Sequence, residues 1–226
     1  MDFNKRKQAI KKQADKTAES RDNWIDRNSF FYKNDHSYMQ FLVGEGKRVL
    51  ELGCGTGQLL NALNPSHGVG VDLSANMVDI AQKNYPNLEF IQGDIENPEL
   101  IKSLEGAFDY IILSDTLGFL DDCEETFSGL HSLCNSDTRL IISYYSWRWR
   151  PILTLGEKIG LKMPSVEMNW LSTEDTTGLL QLADFDTVKR EWRQLLPRKL
   201  FGFGTIINRF IGTLPLIRRL SLRNYL

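Results

Sequence analysis

Cysteine and histidine are scarce, at three residues each in a chain of 226. Cys54, Cys123 and Cys134 have neither paired nor metal-ligand spacing, and an odd count fits a reduced cytosolic protein better than a disulfide framework. His36, His67 and His131 lack partners at ligand spacing, so no metal site is expected. His67, in a turn, and His131, on a helix, are expected to meet solvent. Long apolar runs are missing as well. Nothing approaches the roughly 18 consecutive apolar residues of a spanning helix. The most apolar late stretch, 204–217, is interrupted by Asn208, Arg209 and Pro215. The basic start (Lys5-Arg6-Lys7, then Lys11-Lys12) has no apolar core behind it, which excludes a secretory signal. A formal net charge of −2 gives no case for a nucleic-acid partner.

What is present is an ordinary globular composition, 42% apolar and 25% charged, in a length that suits one α/β domain with a covering element. Charge is unevenly spread. The last acid is Glu191, and after it come Arg193, Arg198, Lys199, Arg209, Arg218, Arg219 and Arg223, seven cations with no acid among them. An acidic body therefore carries a basic, apolar tail. Residues 198–220 suit either a packed cap before the last strand or peripheral contact with an anionic membrane surface.

Residues 1 to about 28 are polar and helix-prone. An aromatic cluster, Asn28-Ser29-Phe30-Phe31-Tyr32, precedes a short helical pattern that Gly44 and Gly46 end, so 1–45 reads as an N-terminal helical lid. From Lys47 onward short apolar runs alternate with helical patterns. Strands are expected at Arg48–Leu52, Gly68–Val71, Leu88–Ile91, Phe108–Leu113 and Arg139–Tyr144. Ser74 caps one intervening helix and Cys123–Leu133 forms another. Strands that are nearly continuous in apolar residues and spaced by helices imply parallel βαβ units, hence a doubly wound α/β sheet. Beyond it, Pro151–Leu161 reads as helix, Met163–Trp170 as loop, and Thr173 as the cap of a helix to Leu182. Phe185–Leu195 reads as a strand, and Leu222–Leu226 as the start of a last one.

The chemical signal is Glu51-Leu52-Gly53-Cys54-Gly55-Thr56-Gly57, at a strand end and opening a helix. Glycines there permit a tight turn and close approach by a ligand, and the helix N-terminus offers free N–H groups. Asp72 ends the second strand 19 residues past Gly53, where an acid can accept from ribose hydroxyls. Asp94 ends the third strand on the same edge. A dinucleotide fingerprint would place its third glycine at position 58, which is Gln58. That weakens a nicotinamide-dependent oxidoreductase without excluding it.

Glu-Leu-Gly-Cys-Gly-Thr-Gly, then Val-Asp-Leu-Ser, then Gly-Asp-Ile, in this order and spacing, resembles the class I methyltransferases that use S-adenosyl-L-methionine (SAM) and release S-adenosyl-L-homocysteine. The resemblance covers roughly 25–195. It implies a Rossmann-like, mostly parallel seven-stranded sheet closed by an antiparallel C-terminal hairpin, with 46–226 as the SAM-binding domain. Position by position it implies that Gly53, Gly55 and Gly57, flanked by Glu51 and Cys54, wrap the methionine end of SAM. Asp72 would hold the ribose, with Leu73 and Met77 beside the adenine. Asp94 would accept from the adenine amine, Ile95 would pack on the ring, and Ser114 would approach the sulfonium side. Arg27–Tyr32, Tyr144–Trp147 and Met163–Ser172 resemble bacterial methyltransferases, some joined to glycosyltransferase domains. That narrower likeness implies a possible glycosyltransferase association and a lid containing Asn28 and Tyr32. It also puts an acceptor segment at 145–172, with Tyr145, Trp147, Asn169 and Trp170 at the pocket.

Methyl transfer from a sulfonium needs a base only where the acceptor must lose a proton; Tyr145, His36 and Asp115 are the candidates. Ser114-Asp115-Thr116-Leu117 lacks the Asn/Asp-Pro-Pro-aromatic pattern of enzymes that methylate base amines. A small or lipid-linked acceptor is favoured, such as a cell-envelope saccharide or polyketide-like intermediate. The competing expectation is a non-catalytic SAM-fold module that works through its tail.

Overall fold

The computed structural model describes residues 3–226, with side chains from Lys5 onward; Met1 and Asp2 of the expected lid lie outside the described residues. Two helices come first, α1 (Phe3–Arg27) and α2 (Ser29–Val43). The alternating part follows: β1 (Arg48–Leu52), α3 (Gln58–Ala62), β2 (His67–Asp72), α4 (Ala75–Asn84), β3 (Glu89–Gln92), α5 (Pro98–Ser103), β4 (Tyr110–Ser114), α6 (Cys123–Gly129) and β5 (Arg139–Tyr145). The chain ends with α7 (Arg150–Lys158), α8 (Thr173–Leu182), β6 (Glu191–Arg193) and β7 (Arg223–Tyr225).

The strands form one sheet in the order β3-β2-β1-β4-β5-β7-β6. Strands β1 to β5 pair in parallel, while β7 runs antiparallel to both β5 and β6. The chain thus forms the doubly wound α/β sheet its patterning implies, with the seven mostly parallel strands and reversed C-terminal strand that the resemblance implies. Strand order changes direction between β1 and β4, and a crevice opens outside the strand ends at such a switch point.

Alternation along the strands divides the core between the two faces. Leu50 and Leu52 join Ile101, Phe127 and Leu180 under α5, α6 and α8. Val49, Ile112 and Ile141 join Met39, Leu60 and Ala81 under α2, α3 and α4. Both faces being covered is why these strands read as unbroken apolar runs. The helix starts are set by short polar side chains. Ser74 accepts from the Met77 N–H, Asn97 from Glu99 and Asp122 from Glu125.

Two expected boundaries are corrected. The cap of α8 is Ser172, not Thr173: its hydroxyl takes the Asp175 N–H while the Asp175 carboxylate takes the Ser172 N–H, a reciprocal capping box. The strand expected over Phe185–Leu195 shortens to Glu191–Arg193. It is an edge strand whose neighbour among the described residues is β7, which offers three residues to pair with. Phe185 instead stacks on His131 at 4.4 Å, and that ring's Nε2 lies 2.7 Å from the Ala183 carbonyl. His131 stays exposed to solvent, as expected, with one face of its ring packed on Phe185.

Candidate active site

At the C-terminal ends of the parallel strands lies a cavity of about 500 Å³. Its floor is built from the loops after β1, β2 and β4. Gly53, Gly55 and Gly57 all have positive φ (82°, 54° and 77°), which brings the chain back sharply toward α3. The turn is pinned from two sides. The Asp72 carboxylate accepts from the Gly55 N–H at 2.8 Å and from the Ser74 N–H at 2.9 Å. The Thr116 hydroxyl donates to the Leu52 carbonyl at 2.9 Å, locking the ends of β1 and β4 together.

The roof on one side is α1, laid across the strand ends. Ile10, Ala14, Thr17, Arg21 and Trp24 line the cavity; spacings of three and four put them on one stripe of the helix. Polar residues on the flanks of that stripe fasten it down. Lys7 pairs with Asp94 (2.7 Å) and with Glu96, Asp15 accepts from Ser74 at 2.5 Å, and Asp22 accepts from Thr56 at 2.6 Å and Gln58 at 2.8 Å. The opposite wall is α7 with the following loop, including Ile152, Leu153, Met163 and Met168; Gln13 on α1 donates to the Pro164 carbonyl across the gap.

Of the residues singled out from sequence, Tyr32, Gly53, Gly55, Asp72, Leu73, Met77, Asp94, Ile95, Ser114, Asp115 and Tyr145 line this cavity. Asn28 lines it too. Four do not. Cys54 is buried with its sulfur against Gly55 and Gly70, and Gly57 packs against the rings of Phe90 and Tyr85. Glu51 sits under the turn, and His36 lies behind Tyr32, ring to ring at 6.3 Å. Trp147, Asn169 and Trp170, expected at the acceptor pocket, are also outside its lining. Asn169 anchors the loop instead, through the carbonyls of Gly118 (2.7 Å) and Leu120 (3.1 Å).

Two cations of the site gave no sequence signal. Arg21 reaches the glycine turn, where its Nε is 2.7 Å from the place a Cβ on Gly55 would occupy. No hydrogen bond or ion pair to its guanidinium is found among the described residues. Arg223, counted with the basic tail, turns inward and is 1% exposed. Its Nε meets Asp35 at 2.9 Å, one terminal nitrogen pairs with Asp115, and the other donates to Ser114 (2.9 Å) and Ser143 (3.1 Å).

Burial sets the protonation of the candidate groups. It pushes the Tyr145 and Tyr32 phenols above their ordinary value, helped at Tyr145 by the neighbouring Asp115 charge, so both are hydrogen-bond donors near neutrality. It lowers His36, leaving a neutral imidazole. Asp72 is raised by burial against the opposing pull of the Ser74 and Gly55 N–H groups and of Arg21. Glu51, with Oε2 unpartnered, is pushed up to about 8.

That last shift has a testable sign. Between pH ~4.5 and ~8 the folded chain holds a proton on Glu51 that the unfolded chain has lost, so stability falls as pH rises through this window and levels off above it. One proton gives at most about 1.4 kcal/mol per pH unit, and relaxation around a buried carboxyl reduces this. Urea midpoints measured from pH 5 to 8.5 should therefore decline more steeply for the wild type than for Glu51→Gln. Parallel curves would show that Glu51 ionises freely in the fold.

A family model described as a methyltransferase domain matches residues 25–190. Among curated relatives, a malonyl-[acyl-carrier protein] O-methyltransferase of Halalkalibacterium halodurans is 34% identical over 108 residues, covering 45% of this chain and 40% of that protein. A phthiotriol/phenolphthiotriol dimycocerosates methyltransferase of Mycobacterium leprae is 43% identical over 58 residues, 23% of this chain and 22% of that one. The chain thus spans less than half the length of these relatives. A solved SAM-dependent methyltransferase from Thermotoga maritima superposes with a TM-score of 0.68 at 21% identity, over 83% of this chain and 87% of its own. One from Archaeoglobus fulgidus gives 0.61 at 18%, over 88% and 92%. At such identities the likeness is one of fold.

Proposed function

This chain belongs to the methyltransferase-domain family, and we propose that it transfers the methyl group of SAM to a small or lipid-linked acceptor that carries an apolar chain. The observation that carries this reading is the composition of the cavity. A polar floor (Gly53, Gly55, Asp72, Ser114, Asp115) runs without a break into walls of Ile10, Ile152, Leu153, Met163 and Met168. The floor suits an adenosyl and amino-acid moiety. The walls suit an alkyl chain, since polar acceptors gain nothing from such a lining.

The residues fit the cofactor. The glycine turn leaves a cradle a side chain would fill, and Asp72 presents a carboxylate whose second lone pairs remain for ribose hydroxyls. Leu73, Met77 and Ile95 would flank the adenine, with Asp94 at its amine. Asp94 reaches this position already bonded to Lys7, so the lid helix and the adenine share one carboxylate. Bound SAM would supply a methyl on a sulfonium, a leaving group that needs no further activation. The chain's task is then alignment and exclusion of water, which the α1 and α7 walls perform. Tyr145 and Asp115 are the groups at hand for an acceptor proton. Tyr145, held protonated, orients an acceptor oxygen by donating to it, and Asp115, raised by burial against the opposing pull of Arg223, is the candidate base. The two curated relatives named for acyl-carrier and dimycocerosate substrates support an acyl-bearing acceptor. A series of acceptors differing only in chain length tests this: turnover should rise with length, and indifference to length would reject the apolar-chain reading.

Arg21 is assigned to the methionyl carboxylate, because it is a cavity cation beside Gly55 whose guanidinium has no hydrogen bond or ion pair among the described residues. Losing a charge-assisted hydrogen bond costs about 1.5–3 kcal/mol, or roughly 10- to 100-fold in affinity. Calorimetry on Arg21→Met should show that loss for S-adenosylhomocysteine and none for methylthioadenosine, which lacks the carboxylate. An equal loss for both ligands would remove Arg21 from this role.

A further inference from the structure

The mouth of the cavity is apolar on its outside as well. Among the described residues, fourteen of the seventeen large apolar side chains that stand exposed fall within 147–161 and 200–220. They form two segments. On α7 and just after it, Ile152, Leu155, Ile159 and Leu161 are each more than half exposed while also lining the cavity. In the tail, Phe201 is fully exposed and Leu216 is 88% exposed. The segments are joined: the Trp149 indole, itself in the cavity wall, donates to the Leu220 carbonyl at 2.8 Å, and Pro197 and Arg198 complete the rim. Leu200 and Phe201 hold positive φ (40° and 54°), a costly backbone for side chains of this size, in the turn that carries Phe201 out into solvent.

Cations are threaded through this surface. Arg148, Arg150 and Lys158 accompany α7, and Arg198, Lys199, Arg209, Arg218 and Arg219 accompany the tail. No Asp or Glu follows Glu191, and Glu157 on α7 is already paired with Lys162. An exposed apolar area of this extent needs an occupant. A second copy of the chain would set these cations against their own image. Apolar side chains ringed by uncompensated cations match the headgroup and acyl boundary of an anionic bilayer.

We propose that the rim formed by α7 and residues 197–220 docks on an anionic lipid surface, with the cavity opening toward the bilayer. The docking does not depend on which group is methylated. It rests only on the rim, and it would let an acyl-bearing acceptor enter without crossing water.

The test is sedimentation of the full chain with sucrose-loaded vesicles of phosphatidylcholine, alone or with phosphatidylglycerol. Binding to the mixed vesicles should exceed binding to the neutral ones by ~tenfold or more, because the basic residues of the rim attract anionic headgroups. It should fall steeply as salt shortens the screening length from about 10 Å at 0.1 M toward about 3 Å at 1 M. Phe201→Ser/Leu216→Ser and Lys199→Glu/Arg209→Glu should each lose it at least tenfold. Val188→Ser, also exposed but away from the rim, should bind like wild type. Equal binding to both vesicle types, no binding to either, or a concentration-dependent dimer abolished by Phe201→Ser/Leu216→Ser would each overturn the proposal. S-adenosylhomocysteine affinity, measured on the same variants, reports separately on the proposed activity and should not change.

Discussion

Arg223→Met should lower folding stability by about 3–5 kcal/mol, the range for removing one partner of a buried ion pair. At the few degrees per kcal/mol expected for a domain of this size, the midpoint of thermal unfolding should drop by about 10 °C. The cost arises from what is left behind. Asp35 is 2% exposed and depends on Arg223 and on the Tyr225 hydroxyl at 2.5 Å. Asp115 holds a left-handed φ of 60° at the cavity floor and pairs with the same guanidinium. The phenyl and phenol rings of Phe31, Tyr145 and Tyr225 lie within 6 Å of the guanidinium carbon, so water cannot readily take its place. Arg223→Lys should recover part of the loss, since a lysine keeps the charge but cannot reach Asp35, Asp115 and both serines at once. In a double-mutant cycle, Asp35→Asn should cost much less in the Arg223→Met background than alone. If Arg223→Met unfolds within 1 kcal/mol of wild type, the network contributes nothing and Asp115 is held by the backbone.

This residue also marks the limit of what the sequence reveals. In the sequence Arg223 is one more cation in a basic tail; its partner Asp35 lies 188 residues away, and no local pattern reports a tertiary pair. The five parallel strands were legible for the opposite reason. Covered faces demand runs such as Tyr110-Ile111-Ile112-Leu113, and the glycine turn demands residues that accept positive φ, so both needs are written locally. The C-terminal pair was half legible: Leu222–Leu226 was recognisable, but the length of β6 is decided by how little of β7 it meets. On α1, the stripe Ile10, Ala14, Thr17, Arg21, Trp24 has helical spacing that could have been read. What it covers is a cavity rather than a core, which is why it is sparse in apolar residues and includes an arginine. Trp147 and Trp170 lie outside the lining of the main cavity, and Trp170 borders a smaller recess with Asn169, Asp115 and Tyr145. The sequence does not say where such loop residues settle, because distant anchors position them, here the Asn169 contacts with the Gly118 and Leu120 carbonyls.

Gly53→Ala is expected to reduce affinity for S-adenosylhomocysteine at least 100-fold while the sheet stays folded. A methyl group at this position falls on the Thr116 side chain. Thr116 has nowhere to go without releasing the Leu52 carbonyl that it holds at 2.9 Å. The φ of 82° adds a penalty of about 1–3 kcal/mol for any residue with a Cβ, and overpacking adds about as much again. The cheapest relief is for the turn to swing out, which moves the Gly53 and Gly55 amides and frees Asp72 from its 2.8 Å bond. Gly55→Ala should be milder, because the atom its methyl meets belongs to the flexible Arg21 side chain, which can withdraw. Thr116→Gly in the Gly53→Ala background should restore part of the affinity by removing the clash but not the backbone strain. Calorimetry on the three variants, with circular dichroism to verify folding, distinguishes these outcomes. Binding by Gly53→Ala within threefold of wild type would place the nucleoside elsewhere than on this turn.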